Sequence, residues 1–433
     1  MAVKTYDHLY RLSHGKDYRK LSVYRAAGGY KMVLKAHAMG PEAVIAEMKT
    51  ASIRGRGGAG FPAGVKWGFV PRDTDKPKYL VVNADEGEPG TFKDNYYLSH
   101  DPHRLIEGCI ITAQTLDIET AYIYVRGEFF QQIATMNAAI DECYKAGILG
   151  DNAMGTGNKL DIYVHQGAGA YICGEETALL ESLEGRPGQP RLKPPFPAVV
   201  GAFGCPTLVN NVETIASVPV IIDMTGQGFL DLGVERDGGT RLCGVSGHVK
   251  NPGIFEIAVG TNLKDIIYDL AGGILEDRPL KAVIPGGSSC PVMLPDEIDA
   301  PMSVDGIRDA GSMLGTLGVI VFAEGTCMVR ALQRISHFYA HESCGQCTPC
   351  RSGTGWMARI VDDLEAGRGR QEDLDILVDI ANQIAGKTIC ALGDAAAFPV
   401  LSFVQKFKGE FQAHMDHRGC PIDTPLPKWT RPT

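Results

Sequence analysis

The 433-residue sequence predicts a mixed α/β chain in three zones: a mainly parallel sheet covered by helices, a small α+β unit, and a helical bundle. Three observations predict it. Residues 71–239 alternate apolar, β-branched runs with helical patterns. A turn-split pair of short strands opens the stretch 240–325. From 326 onward nearly every segment carries helical periodicity.

The first segment, 1–70, is polar, then helical at PEAVIAEMKTAS, then glycine-rich. Within 71–239, YLVVNAD, AYIYVRG and LDIYVHQG read as buried strands. HRLIEGCIITAQTL, QQIATMNAAIDECYKAG and GEETALLESLEG read as the helices between them. In 240–325, RLCGVSGHV and GIFEIAVG are strands split by Asn251-Pro252-Gly253. Leu263, Ile266, Ile267 and Leu270 mark one helix face, and KAVIPGG and LGVIVFAEG supply further strands. In 326–433, Leu374, Leu377, Val378, Ala381 and Ile384 form one apolar stripe and Leu401, Val404, Lys408 and Phe411 another. The tail CPIDTPLPKWTRPT is proline-rich and reads as extended. There is no internal repeat.

Forty-two basic against 51 acidic side chains give a net charge of −9, which argues against a nucleic-acid binder. The opening residues show no secretory pattern, and no run approaches the ~18 apolar residues of a membrane span. The expectation is a soluble or peripheral chain with reduced thiols. Nine of its twelve cysteines are scattered singly.

The other three, Cys344, Cys347 and Cys350 in ESCGQCTPCR, form C-x2-C-x2-C. A [4Fe–4S] cluster can take three thiolates from such a loop and needs a fourth from elsewhere. Cys390 in GKTICALGD is the candidate, with Cys327 and Cys420 as the other choices. A four-cysteine zinc site is the alternative, although zinc more often takes two separated C-x2-C pairs.

GRGGAG (55–60) matches a dinucleotide fingerprint formally, but a helix precedes it and Phe61-Pro62 follows, so the standard reading fails. Gly55, Gly57, Gly58 and Gly60 would still let the backbone approach a flat or anionic ligand, with Arg56 and Lys66 adding positive charge. A flexible loop is the plain alternative. Asn83, Asp85, Glu86 and Glu88 crowd the carboxyl end of a strand, where open α/β sheets bind ligands; ordinary turn chemistry is the competing account. Gly174 begins a helix with Glu175 and Glu176 in its first turn, which the helix dipole favours anyway. Asn210 or Asn211 can serve as an N-cap, leaving the other amide for a ring edge. Prolines around Lys193 and Phe196 stiffen that segment, and Phe61, Phe69 and Phe196 offer aromatic faces or core packing.

Taken in order, GRGGAGFPAG, VVNADEGEPGTFKD, GAYICGEETALLESLEG, TLVNNVETIASVP, ESCGQCTPCR and TICALGD resemble the FMN- and NADH-binding subunits of respiratory complex I, the bacterial NADH-quinone oxidoreductase F family, over about residues 50–415. The resemblance implies a Rossmann-like FMN domain, a ubiquitin-like β-grasp domain and a C-terminal helical bundle with a [4Fe–4S] cluster. It implies FMN contacts from Gly55, Arg56, Gly57, Gly58, Lys66, Asn83, Asp85, Tyr171, Gly174, Glu175, Asn210, Asn211 and Thr214. NADH contacts would come from Phe61, Phe69, Glu86, Glu88, Glu176, Lys193 and Phe196, with Glu88 on the ribose hydroxyls. Cluster ligands would be Cys344, Cys347, Cys350 and Cys390.

The resemblance further implies a [2Fe–2S] partner subunit, a larger iron–sulfur subunit, and attachment to the inner face of the cell membrane through them, with no direct insertion. Hydride transfer by orientation needs no catalytic side chain. A diaphorase subunit of an NAD-linked hydrogenase or formate dehydrogenase keeps the same chemistry. A zinc-stabilised scaffold is the non-redox alternative. The thioredoxin-like [2Fe–2S] and ferredoxin extensions of many diaphorases are not expected, since no cysteine precedes residue 50 and only Cys420 follows Cys390.

Overall fold

The structure is a computed structural model that describes residues 3–422. The extended tail expected from 423 onward lies outside the described residues. Four parallel strands form the first sheet: β1 (Tyr79–Ala84), β2 (Thr120–Val125), β3 (Asp161–Gln166) and β4 (Thr207–Asn211), in the order β3-β2-β1-β4. The register aligns Asn83 with Asn211, so the carboxyl ends of β1 and β4 present their amides side by side. Helices Pro102–Leu116, Phe130–Lys145 and Glu176–Leu183 lie on the three crossovers, and Val212–Met224 follows β4. Strand β4 escapes the sequence reading because it is short and ends in two asparagines, which are turn and cap residues by propensity.

The N-terminal helices, Lys31–Met39 and Pro41–Thr50 among them, pack on one face of this sheet. They share a single core running from Leu9 through Trp67 and Val82 to Leu242.

The second sheet contains β5 (Thr240–Gly247), β6 (Gly253–Ala258), β7 (Leu280–Ile284) and β8 (Gly318–Ala323), in the order β6-β5-β8-β7. Strands β5 and β6 form the expected antiparallel hairpin, whereas β5 and β8 run parallel at the centre. The helical turn after β6 begins at Leu263, and its second half, Ile266–Leu270, widens to π geometry. A hairpin, a crossing helix and a central parallel pair make a β-grasp arrangement.

The last unit contains helices Met328–Glu342, Thr348–Glu365, Gln371–Ile384, Leu392–Lys406 and Lys408–Asp416. The stripe from Leu401 to Phe411 is divided between the last two, because the chain turns at Phe407. Core residues of this bundle are continuous with Val81, Tyr124, Ile172 and Leu179 on the opposite face of the first sheet. That shared core brings the cysteine loop to the mouth of the parallel sheet. Among the described residues no helix is long and apolar enough to cross a membrane.

Candidate functional site

The glycine loop 55–60 lies against the carboxyl end of β4, and β4 pairs with β1, so the loop and the two strand ends frame one polar region, here called the hollow. The loop is held from below: Arg56 N donates to Thr214 Oγ1 at 2.9 Å, and Gly55 N to Phe61 O at 2.8 Å. A Cβ on Gly57 would come within 3.2 Å of Asn211 Cβ, tighter than most real Cβ contacts, so Asn211 would have to give way. Gly58 has φ +104°, a conformation that L side chains rarely adopt. Opposite the loop, Asn83 Nδ2 donates to Gly174 O at 2.8 Å and Asn83 Oδ1 accepts from Asp85 N at 3.0 Å. Asn210 Oδ1 accepts from Trp67 Nε1 at 3.0 Å.

Asp85 Oδ2 is buried with no hydrogen-bond partner. An acceptor left unsatisfied in a glycine-lined hollow suits a ligand that donates a hydroxyl or ring N–H, as FMN can. Burial pushes the Asp85 carboxyl up to about 7. The folded, flavin-free protein therefore keeps a proton that the unfolded chain releases near 3.8, and stability falls as pH rises from there to about 7. In the flavin-free protein, Asp85→Asn is expected to flatten that slope by up to about 4 kcal/mol, read as the thermal midpoint against pH. An unchanged slope rejects the assignment.

Two charges sit elsewhere than the sequence suggests. Arg56 is 0% exposed, and its guanidinium turns away from the hollow to Asp237 Oδ1 at 3.1 Å and Gly238 O at 2.9 Å. Glu86 is buried, and its carboxylate accepts from Asp94 N at 2.7 Å and Asn95 N at 3.0 Å, capping the helix Asp94–His100. Burial, followed by the neighbouring Asp94 charge, pushes it up to about 8. Asp237 offsets the burial of Arg56, whereas the two backbone N–H groups only partly offset that of Glu86.

Lys93 is a residue that sequence reasoning missed. It is 2% exposed and lies 2.7 Å from Asp94 Oδ1, 3.0 Å from Glu213 Oε2 and 3.1 Å from Asn211 Oδ1. No local signal separates it from a surface lysine.

The hollow opens past a chain of alternating charge. Lys66 Nζ meets Glu176 Oε2 at 2.6 Å, while Lys193 Nζ lies 3.2 Å from Glu176 Oε1 and 2.8 Å from Glu175 Oε1. Burial disfavours the charged form of Glu176, yet the two lysines hold its carboxyl below the ordinary range. Glu175 Oε2 also caps its helix through Thr177 N and Ala178 N. Phe61 and Phe69 stand with ring centroids 6.1 Å apart, and these two and Phe196 are all exposed. Glu88 accepts from Ser289 N at 2.8 Å and from the Tyr171 hydroxyl, joining the β-grasp unit to the loop after β3.

That loop also reaches the cysteines. Tyr171 N donates to Glu342 Oε2 at 2.9 Å, and Ile172 helps line a small cavity whose walls include Cys344, Cys347, Cys350 and Cys390. Cys390 lines that cavity with the three loop cysteines, whereas Cys327 and Cys420 do not. A tetrahedral zinc–sulfur site places its sulfurs about 3.8 Å apart, from Zn–S bonds of ~2.3 Å. Among the described residues no three of these four sulfurs lie within 4.8 Å of one another, although another trio does. The spacing suits a larger inorganic core than one zinc ion. Burial pushes the Cys390 thiol up to about 11, so loading the site must expel its proton.

A glycine loop at the ends of a parallel sheet, beside a four-thiol cavity and a rim of exposed aromatic and charged side chains, fits the class of flavin- and iron–sulfur-dependent NADH-oxidising subunits. Comparison with known proteins agrees. Residues 48–220 match the Nuo51 FMN-binding domain, 241–305 an SLBB domain, and 330–414 the NADH-ubiquinone oxidoreductase-F iron-sulfur binding region. The NADH-quinone oxidoreductase F subunit of Streptomyces coelicolor is 51% identical over 93% of this chain and 90% of its own. NADH dehydrogenase [ubiquinone] flavoprotein 1, mitochondrial, of Dictyostelium discoideum is 52% identical over 86% of this chain and 79% of its own. A solved NAD+-reducing [NiFe]-hydrogenase in the H2-reduced state superposes with TM-score 0.82 at 34% identity, covering 91% of this chain and 65% of that one.

The chain belongs to the family of NADH-quinone oxidoreductase F subunits. It is an oxidoreductase component that uses FMN and a [4Fe–4S] cluster with NADH as substrate, and it works within a multi-subunit complex.

Proposed function

We propose that the hollow at the ends of β1 and β4 holds FMN through Gly55, Gly57, Gly58, Lys66, Asn83, Asp85, Tyr171, Gly174, Glu175, Asn210, Asn211 and Thr214, with Arg56 contributing its backbone. NADH lies across the mouth, against Phe61, Phe69 and Phe196, with Glu88, Glu176 and Lys193 on its polar groups. Glu86 supports that wall by anchoring the helix behind it. Cys344, Cys347, Cys350 and Cys390 hold the cluster. FMN held there would supply the chemistry that couples a two-electron hydride donor to one-electron iron–sulfur acceptors.

The chain's own part is placement. Glycines would permit close stacking, the aromatic pair would orient the dinucleotide, and the Tyr171–Ile172 loop, bonded to Glu88 on one side and lining the cysteine cavity on the other, would link the two sites. No side chain acts as an acid or base in the hydride step.

The observation that carries this reading is Ile172, which lines the cysteine cavity while its neighbour Tyr171 bonds Glu88 at the hollow. Gly57→Val tests it: the side chain would occupy the space before Asn211. The variant should fold, keep its iron and purify with less than about a tenth of the wild-type flavin, given the tight approach at that site. A flavin-replete variant overturns the assignment.

We further propose segment boundaries at 70, 239 and 325. A [2Fe–2S] subunit and a larger iron–sulfur subunit would receive the electrons and attach the chain to the inner face of the cell membrane. The hydrogenase likeness favours one second reading, a diaphorase subunit. Proteins that co-purify with the chain separate the two.

A further inference from the structure

Cys327, His414 and Cys420 come together from distant parts of the chain, and nothing in the site above uses them. Their ligand atoms all lie within 4.8 Å of one another, with Cys327 Sγ 3.2 Å from His414 Nε2. His414 is 0% exposed, Cys327 is buried and Cys420 is half-buried.

The trio is oriented as well as gathered. His414 Nδ1 donates to Glu410 O at 2.7 Å, which leaves the lone pair on Nε2, facing the thiol. Metal-binding histidines are held in this way by their second nitrogen. Cys327 is the N-cap of the helix Met328–Glu342, and its sulfur accepts from Arg330 N at 3.3 Å. Glu410 is committed to Met328 N at 3.0 Å and to Lys281, so it braces the histidine and is not a ligand.

We propose that Cys327, His414 and Cys420 bind a zinc ion, at a second metal site independent of the four-cysteine cavity. Two thiolates and one imidazole are a zinc donor set, and tetrahedral bonds of ~2.0–2.3 Å place ligand atoms about 3.3–3.8 Å apart. The trio is already on that scale, whereas the cluster cysteines are spread more widely. Binding releases two thiol protons, forms two Zn–S bonds and one Zn–N bond, and leaves the fourth position to water on the half-exposed side of Cys420. No electrons are transferred.

The ion would tie the end of the last helix to the start of the helix that delivers the cluster loop. That helix has 15 residues and separates Cys327 from Cys344 by roughly 22 Å. The two sites therefore cannot exchange ligands without unfolding it.

The test is metal content of the purified, flavin-loaded complex. Cys420→Ser and His414→Gln should each lose about one zinc per FMN relative to wild type while iron per FMN stays unchanged, as expected for a Cys2His site. Unchanged zinc in both variants overturns the proposal, and so does a Cys327–Cys420 disulfide in peptide mapping of the wild type. Should neither variant assemble, crystals of the wild-type complex decide. Anomalous density at the zinc edge between the three residues supports the site, and flat density rejects it.

Discussion

Replacing Cys390 with alanine should leave a chain that still binds FMN and has lost its cluster. Three of the four thiols come from one loop, but the cavity closes only where Cys390 enters, two residues before the helix Leu392–Lys406. Three thiolates leave one corner of a four-iron cubane without a protein ligand. Iron should fall from about four per chain to below one. NADH-driven reduction of a small acceptor able to reach the flavin should persist, while delivery to downstream iron–sulfur centres drops to background. Iron analysis with low-temperature EPR checks the first part, and stopped-flow reduction checks the second. Cys205→Ser, at a half-buried thiol outside the cavity lining, should keep full iron content. A Cys390→Ala chain with four irons would show that the fourth ligand lies elsewhere.

Lys93→Met is expected to be the most destabilising single change near the flavin hollow. The ammonium is enclosed by Asp94, Glu213 and Asn211, with the Glu86 carboxylate adding to the field. Removing it leaves several acidic groups buried around an apolar side chain. Breaking a buried pair from one side costs about 3–5 kcal/mol, far more than losing a surface ion pair.

The pH dependence gives the effect a signature. Burial pushes the Glu213 carboxyl up, but Lys93, Arg56 and Arg241 together hold it below its ordinary 4.5. A carboxyl held low adds stability above that value and loses it as pH falls through its folded value. The deficit of Lys93→Met should therefore be largest near neutral pH and shrink below about 4.5. Adding Glu213→Gln to the variant should recover part of the loss. Thermal unfolding at several pH values reads all three outcomes. A variant within about 1 kcal/mol of wild type at pH 7 would show the lysine to be dispensable.

Both cases show where sequence stops carrying information. Strands β1 and β2 were legible as apolar runs between turn residues, and β3 from its Ile162-Tyr163-Val164 centre. The helix faces of the bundle were legible from their spacing. Strand β4 was not, since Asn210 and Asn211 favour caps and turns in isolation and become strand only by pairing with Val82 and Asn83. Among charges, the sequence placed Arg56 and Glu86 with their neighbours in a ligand site. Their partners, Asp237 for Arg56 and the backbone of Asp94 and Asn95 for Glu86, turned them inward. Nothing local marks Lys93 as buried.

What the sequence alone determined is what neighbours along the chain determine: the element types, the three-thiol loop from Cys344 to Cys350, and the glycines that keep the backbone bare at 55–60. Tertiary structure alone decided that Cys390, a candidate from the sequence, lines the same cavity as the loop cysteines, that the Arg56 and Glu86 side chains turn to protein partners, and that Cys327 meets His414 and Cys420. The division has a physical cause. Periodicity, turn chemistry and ligand spacing act over a few residues, whereas the partner a buried charge or thiol finds is set by which surfaces pack together, and packing joins positions separated by most of the chain.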